Sequence, residues 1–198
     1  MQPIELIVLG GSAGALDALL AILPALPDAL DIPIVAVMHV TPNHASLLPE
    51  LLARACPRPV HEIEDKQPLQ RGTIHVAPPN YHVLVERDRT LALSVDAPVL
   101  FSRPSIDVVF ESAADTLGAA VAGMVLSGAN EDGARGLRRI LDAGGLGAIQ
   151  DPATARHAEM PAAAVRLAGD ARVLAVEGLV TWCAELSGGR TRGTEVRP

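Results

Sequence analysis

Three short stretches of this 198-residue chain carry side chains that could do chemistry. The first is Gly10-Gly11-Ser12-Ala13-Gly14, which fits the pattern G-x-S-x-G. Small neighbours let the backbone turn sharply out of a strand and let a substrate carbonyl approach the serine hydroxyl. A helix after such a turn aims free N–H groups at the same spot, which suits an oxyanion. A phosphate would use the same loop equally well, and a glycine turn before a helix is also common punctuation. The dinucleotide spacing G-x-G-x-x-G would need glycine at 10, 12 and 15; Ser12 and Ala15 break it. The second signal is His39, which closes the apolar run 34–38. Alone it is more simply a satisfied core histidine. If the first two strands are neighbours, their ends bring His39 within a hydroxyl–imidazole hydrogen bond of Ser12, roughly 3 Å long. The third is Ser127-Gly128-Ala129-Asn130-Glu131-Asp132-Gly133. Asp132 could cap the helix that follows, and Glu131 could favour its dipole. Either carboxylate could instead orient His39 and stabilise the imidazolium, and local chemistry does not separate the two.

Rival bases are His44, His61, His75, His82 and His157. His61 and His75 lie inside strand patterns and read as structural. His44 precedes a helix and reads as exposed, while His82 and His157 fit the mouth of a site. There is no H-x-x-x-H or H-E-x-x-H pattern, so no metal centre is expected.

The elements that must position these residues are short apolar runs alternating with helical patterns. Strands are expected at 4–9, 33–39, 60–63, 73–77, 121–126, 146–150 and 172–176, and helices at 15–23, 45–55, 105–117, 134–142, 161–167 and 179–186. Ser105 is placed to cap the helix at 105–117. Residues 81–86 and 91–95 alternate around a turn, a hairpin signal. Strands separated by helices imply a doubly wound α/β fold with a mostly parallel sheet, the hairpin being an antiparallel addition. Ligands of such sheets sit beyond the carboxyl ends of the strands, which singles out Ser12, His39, Asn130 and Asp132. One domain is expected over 1–186, followed by a polar, flexible tail at 187–198.

Composition narrows the function classes. Apolar residues make up 49% and aromatics only 2%, so the core must be aliphatic and closely packed. Four aromatics offer no stacking platform for single-stranded nucleic acid, and a net charge of -7 would repel a phosphate backbone. Two cysteines without CxxC spacing give neither a disulfide framework nor a zinc site. The amino terminus lacks a basic leader, and charges and prolines interrupt 16–38, so neither a secretory signal nor a membrane span is expected. A cytoplasmic protein without cofactor, nucleic acid or stable membrane insertion follows.

The chain resembles the catalytic domain of the CheB-type chemoreceptor glutamate methylesterases. The resemblance rests on IVLGGSAGAL from Ile7, VMHVT from Val37, IHVAPPNY from Ile74, RPSIDV from Arg103, VLSGANEDGARG from Val125 and Met160-Pro161. It implies a Ser12/His39/Asp132 triad, preferring Asp132 over Glu131. It also implies an oxyanion held by main-chain N–H groups near Ala13 and Ala129, with Asn130 beside the substrate. The activity implied is hydrolysis of glutamate γ-methyl esters, with deamidation of glutamine by the same chemistry. The partners implied are methyl-accepting chemotaxis receptors, and a separate response-regulator protein in place of a fused receiver domain. Asn80, Tyr81 and Arg103 are further candidates at the mouth, though strand packing and a surface charge explain the last two as well. The chain departs from the family pattern with Ala15 at a usual glycine, Ala129 at a usual methionine, and Ala158-Glu159 where Phe-Gly is usual. These departures keep two other expectations open: a nucleotide- or phosphate-binding domain, and a non-catalytic receptor-interaction module.

Overall fold

The structure, a computed structural model, describes residues 2–39 and 46–187. Its first half runs β1 (Leu6–Gly11), α1 (Ala15–Ile22), β2 (Ile34–Met38), α2 (Leu48–Ala55), β3 (Val60–Glu62), β4 (Gln67–Pro68), β5 (Ile74–Val76), β6 (His82–Val85) and β7 (Thr90–Ser94). The second half runs α3 (Ile106–Leu117), β8 (Val121–Val125), α4 (Ala134–Asp142), β9 (Leu146–Gln150), α5 (Glu159–Leu167), β10 (Arg172–Leu174) and α6 (Val176–Ser187). Seven strands form one parallel sheet in the order β10-β9-β8-β1-β2-β5-β3, and β4-β7-β6 form a small antiparallel sheet beside it.

The central strands β1, β2 and β8 are buried along their whole length, which is why they read as unbroken apolar runs. Alternate side chains enter two cores. Ile7 and Leu9 face α1, α2 and α6 with Leu19, Leu52 and Trp182. Leu6 and Val8 face α3, α4 and α5 with Phe110, Leu137 and Met160. Each fully buried Leu, Ile or Val contributes roughly 1.5–3 kcal/mol relative to exposure. With Phe110 and Trp182 as the only buried aromatics among the described residues, small residues set the layer spacing. Helices α3 and α4 cross closely: a Cβ on Gly136 would lie 2.5 Å from Phe110 Cβ and 3.0 Å from Asp107 Cα.

Helix α4 and strand β9 fall where the periodicity places them, and most other boundaries move by one to three residues. The last strand is shorter than the pattern suggests, because α6 starts at Val176 rather than at 179. Strand β4 has only two residues and no apolar alternation, so no pattern announces it. Helix α6 extends to Ser187, and the tail expected beyond it lies outside the described residues, as does His44.

Gly136→Ala is expected to force α3 and α4 apart and to cost about 1–3 kcal/mol, as overpacking of a well-filled core does. Urea denaturation should show a lower midpoint at an unchanged slope. Wild-type stability in this variant would mean the two helices are not in such close contact.

Candidate active site

Three strands leave the sheet side by side. Gly11 pairs with Met38 on β2 and Gly10 with Val125 on β8. The chain passes from β1 to one side of the sheet and resumes on the other at β8, so the loops after these two strands part and leave a crevice. Main-chain bonds continue past the strand ends: His39 N–H donates to Gly11 O at 3.2 Å, Leu126 N–H to Gly10 O at 2.8 Å, and Ser12 N–H to Ser127 O at 2.9 Å. The Ser12 turn is half-buried and runs into α1 through Gly14, whose φ of 78° is where a glycine is needed. There is also no room for a side chain at Gly10, where a Cβ would meet Ile106 at 2.2 Å.

Ser127 clamps the turn from the other side. Its buried hydroxyl donates to Ala13 O at 2.8 Å and accepts from His157 N–H at 2.9 Å, while its own N–H donates to Gln150 Oε1 at 2.9 Å. Gly128 is stitched to the segment after β9 by its N–H to His157 O and by Met160 N–H to its carbonyl. Ala13 and Ala129, the expected oxyanion donors, are exposed on the two loops this clamp joins. Neither N–H is engaged among the described residues.

The imidazole and the carboxylate do meet. His39 Nε2 lies 2.8 Å from Asp132 Oδ2, with the histidine side chain 12% exposed and the aspartate fully buried. An ionised carboxylate only accepts, so Nε2 carries the hydrogen and Nδ1 keeps the basic lone pair. Asp132 also accepts from Ser105 Oγ at 2.8 Å, Ile106 N–H at 2.7 Å and Asp107 N–H at 3.0 Å. Burial alone would raise its pKa; the hydrogen bonds from His39, Asp107 and Ile106 and the His39 charge outweigh this and hold it below the usual carboxylate range. Glu131, the competing carboxylate, is exposed. Asn130 turns its Oδ1 back to accept from Asp132 N–H at 3.2 Å.

The expected bond between Ser12 and His39 is not formed in this structure. The Ser12 hydroxyl has no hydrogen-bond partner among the described residues, and Nδ1 of His39 faces Ser102 Oγ at 3.3 Å instead. Ser102 was not singled out by the sequence, because nothing in F-S-R-P-S marks it as facing a histidine.

Several local assignments change. Asp132 caps α3, not its own helix, and Ser105 gives its hydroxyl to Asp132 rather than to the helix start. Asp107 caps α4 by accepting from Gly133 N–H at 2.9 Å and Gly136 N–H at 2.8 Å, and it pairs with Arg135 at 3.0 Å. Burial first and then the nearby Asp132 push the Asp107 pKa up, against the Gly136 and Arg135 hydrogen bonds. The carboxylate four residues from Glu111 in R-P-S-I-D-V-V-F-E was therefore a site residue the pattern did not reveal. His82, expected at the mouth, is buried: Nδ1 accepts from Ser105 N–H and Nε2 donates to Ala97 O. His75 is a structural histidine whose burial lowers its pKa, and His61 is exposed. Asn80 N–H donates to Arg103 O, Tyr81 is 40% exposed, and Arg103 holds the carbonyls of Val95 and Asp96. Both cysteines are buried; burial pushes the Cys183 thiol up to about 12, which makes it a poor nucleophile. No cluster of three potential metal ligands occurs among the described residues, and no described helix is long and apolar enough to cross a membrane.

Fold and site together define a doubly wound α/β domain whose sheet edge gathers a serine turn and a buried histidine–aspartate pair. The profile of the CheB methylesterase family matches residues 7–182, and the chain belongs to that family. A Leptospira interrogans protein, provisionally named protein-glutamate methylesterase/protein-glutamine glutaminase, is 43% identical over 173 residues, covering 87% of this chain and 90% of its own length. A Nocardioides protein-glutamate methylesterase/protein-glutamine glutaminase is 38% identical over 86% of this chain, which spans only 47% of that longer protein. The crystal structure of the Thermotoga maritima CheB methylesterase catalytic domain superposes with a TM-score of 0.87 at 25% identity, covering 93% of this chain and all of that one. A nucleotide- or phosphate-binding domain and a non-catalytic interaction module are not favoured beside this match.

A carboxyl group that titrates lower in the folded protein contributes stability above its unfolded value, about 3.9, and loses it as pH falls through the folded value. Asp132→Asn should therefore be less stable than wild type by about 1–3 kcal/mol at neutral pH, from imperfectly paired buried groups. The gap should close below about pH 4 as the wild-type carboxyl protonates. Urea denaturation of both proteins across that range reads the difference; a gap that did not change with pH would rule out an ionised Asp132.

Proposed function

We propose that this chain is a protein-glutamate methylesterase that also acts as a protein-glutamine glutaminase, with Ser12, His39 and Asp132 as its catalytic residues. The observation that carries the reading is the 2.8 Å bond from His39 Nε2 to buried Asp132, set at the same sheet edge as the Ser12 turn. The names of the Leptospira and Nocardioides relatives support the same reaction.

The chemistry follows from the tautomer. Ser12 Oγ attacks the γ-carbonyl of a glutamyl methyl ester while its proton passes to Nδ1 of His39. The carbonyl oxygen becomes an oxyanion held by the N–H groups of Ala13 and Ala129; one such donor is typically worth roughly 3 kcal/mol. His39, now an imidazolium against ionised Asp132, returns the proton to the departing methoxide, and methanol leaves. Water then attacks the acyl-serine, gives its proton to Nδ1, and releases glutamate as the proton goes back to Ser12. With a glutamine substrate the departing group is ammonia instead. Asp132 stays ionised throughout and fixes the hydrogen on Nε2.

The substrates in this reading are methyl-accepting chemotaxis receptors, met in the cytoplasm at their signalling domains, with a separate response-regulator protein as a further partner. Exposed Ala13, Ala129 and half-buried Asn130 leave the site open to a side chain presented by a folded protein.

Ser12→Ala should lower methanol release from a methylated receptor fragment by at least about 10⁴-fold without loss of folding. Mass spectrometry of receptor peptides reads both reactions, as a loss of about 14 Da for the ester and a gain of about 1 Da for the amide. Full turnover by the Ser12→Ala protein would end the assignment of the nucleophile.

A further inference from the structure

The turn that presents Ser102 to His39 has a second feature that the reaction above leaves unused. Val99 and Ser102 exchange both main-chain hydrogen bonds, at 3.1 and 2.8 Å, and so close a two-residue turn. Its central residues, Leu100 and Phe101, have φ of 48° and 63°. Two positive φ values at these positions describe a type I′ turn, which favours asparagine and glycine. A leucine and a phenylalanine are strained there, and the strain meets no internal return for Phe101, which is 102% exposed. Phe110 and Trp182 are buried in the cores and Tyr81 is only partly exposed, so this one aromatic stands fully in water.

It stands next to the reacting groups. Ser102, one residue on, touches Nδ1 of His39. Leu100 and Phe101 form one wall of a recess of about 370 Å³, with Asn130, Glu131, Glu159 and Arg166 as the rest. Asn130 and Glu131 directly precede Asp132. None of Ser12, His39 and Asp132 lines this recess, so its occupant is a part of the substrate other than the ester. Two carboxylates against one guanidinium make the recess net negative, which suits neutral or basic neighbours of an apolar residue.

Resting on the esterase reading, we propose that the Leu100–Phe101 turn is the specificity element of this site, with Phe101 seating against an apolar side chain of the protein segment that carries the modified glutamate. The same turn holds Ser102 on Nδ1, so protein substrate and imidazole are read by one four-residue unit. Phe101 is a specificity residue and touches neither the ester nor the triad.

The test compares wild type, Phe101→Ala and Phe101→Leu on two reactants: a methylated receptor fragment, followed by methanol release, and a small fluorophosphonate, followed by the rate of labelling at Ser12. Phe101→Ala should raise KM for the receptor fragment about tenfold, as loss of an aromatic anchor does. Phe101→Leu should recover part of it, and the labelling rate should hold in both variants. Wild-type KM in Phe101→Ala, with normal wild-type turnover, overturns this inference and leaves the esterase reading intact. So does an equal loss with both reactants, which would mark a folding or triad defect. So does a dimer, seen by sedimentation, that Phe101→Ala dissociates without change in KM, since the aromatic would then be an interface between copies. A wild-type protein that releases no methanol overturns both readings.

Discussion

Two buried carboxylates that cap each other's helices hold this site together. Asp132 precedes α4 yet accepts the first N–H groups of α3, and Asp107 lies in the first turn of α3 yet accepts those of α4. The orphan N–H groups of a helix start need acceptors and carry the positive end of the helix dipole. Each carboxylate supplies what the other's helix lacks, and each such cap is worth about 1 kcal/mol. The exchange works only where the two helices nearly touch, which Gly136 against Phe110 and Asp107 permits. Burying two like charges side by side is costly, and the structure divides that cost unequally. Asp107 takes the upward shift, relieved by the Gly136 N–H and Arg135, while Asp132 is held down by the hydrogen bond and charge of His39 and by the N–H groups of Asp107 and Ile106. The result is a carboxylate that stays ionised at neutral pH and can do one further thing, which is to fix the hydrogen of His39 on Nε2.

The parallel sheet fixes the other partner. Parallel strands that are buried on both faces tolerate little movement, and the main-chain bonds from 39 to 11, 126 to 10 and 12 to 127 carry that rigidity past the strand ends. Serine, histidine and aspartate thus come from the ends of three adjacent strands, β1, β2 and β8, in the order the chain meets them. The Ser127 clamp adds the loop before α5 to the same unit. Placing a functional turn where the strand order reverses leaves a crevice with no extra cavity to build, which is the general property of open α/β sheets.

Much of this was legible in the residues, and the limits have physical causes. Unbroken apolar runs such as 121–125 identify buried parallel strands because both faces must be covered. The G-x-S-x-G turn and the polar residues after β2 and β8 point to the sheet edge because ligands of such folds bind there. What no pattern carries is a bond between distant parts of the chain. Asp107 reads as an ordinary first-turn acid and Ser105 as an ordinary cap, since both preferences are local; their partners lie at 132, 133 and 136. His82 reads as a mouth residue because its period-2 position does not reveal that Ser105 and Ala97 occupy both ring nitrogens. The insertion of β5 between β2 and β3 is likewise a matter of sheet order, and β4 is too short to have a period.

The contested group of the site is the lone pair on Nδ1 of His39. Nε2 is committed to Asp132, so a single acceptor remains and two hydroxyls are in contention for it: Ser102, which holds it here, and Ser12, whose main chain is pinned while its hydroxyl is free among the described residues. A lone pair takes one strong hydrogen bond at a time. In the proposed reaction the Ser12 proton can pass to Nδ1 only as Ser102 yields its place, and the 3.3 Å contact of Ser102 is longer than the 2.8 Å bond from Nε2 to Asp132. The groups that must not move, Asp132 and the strand ends, are buried and multiply bonded. Ser102, by contrast, closes a two-residue turn whose central residues, Leu100 and Phe101, have positive φ. The imidazole is thus the point where a buried, multiply bonded carboxylate and a single longer bond from a surface turn meet.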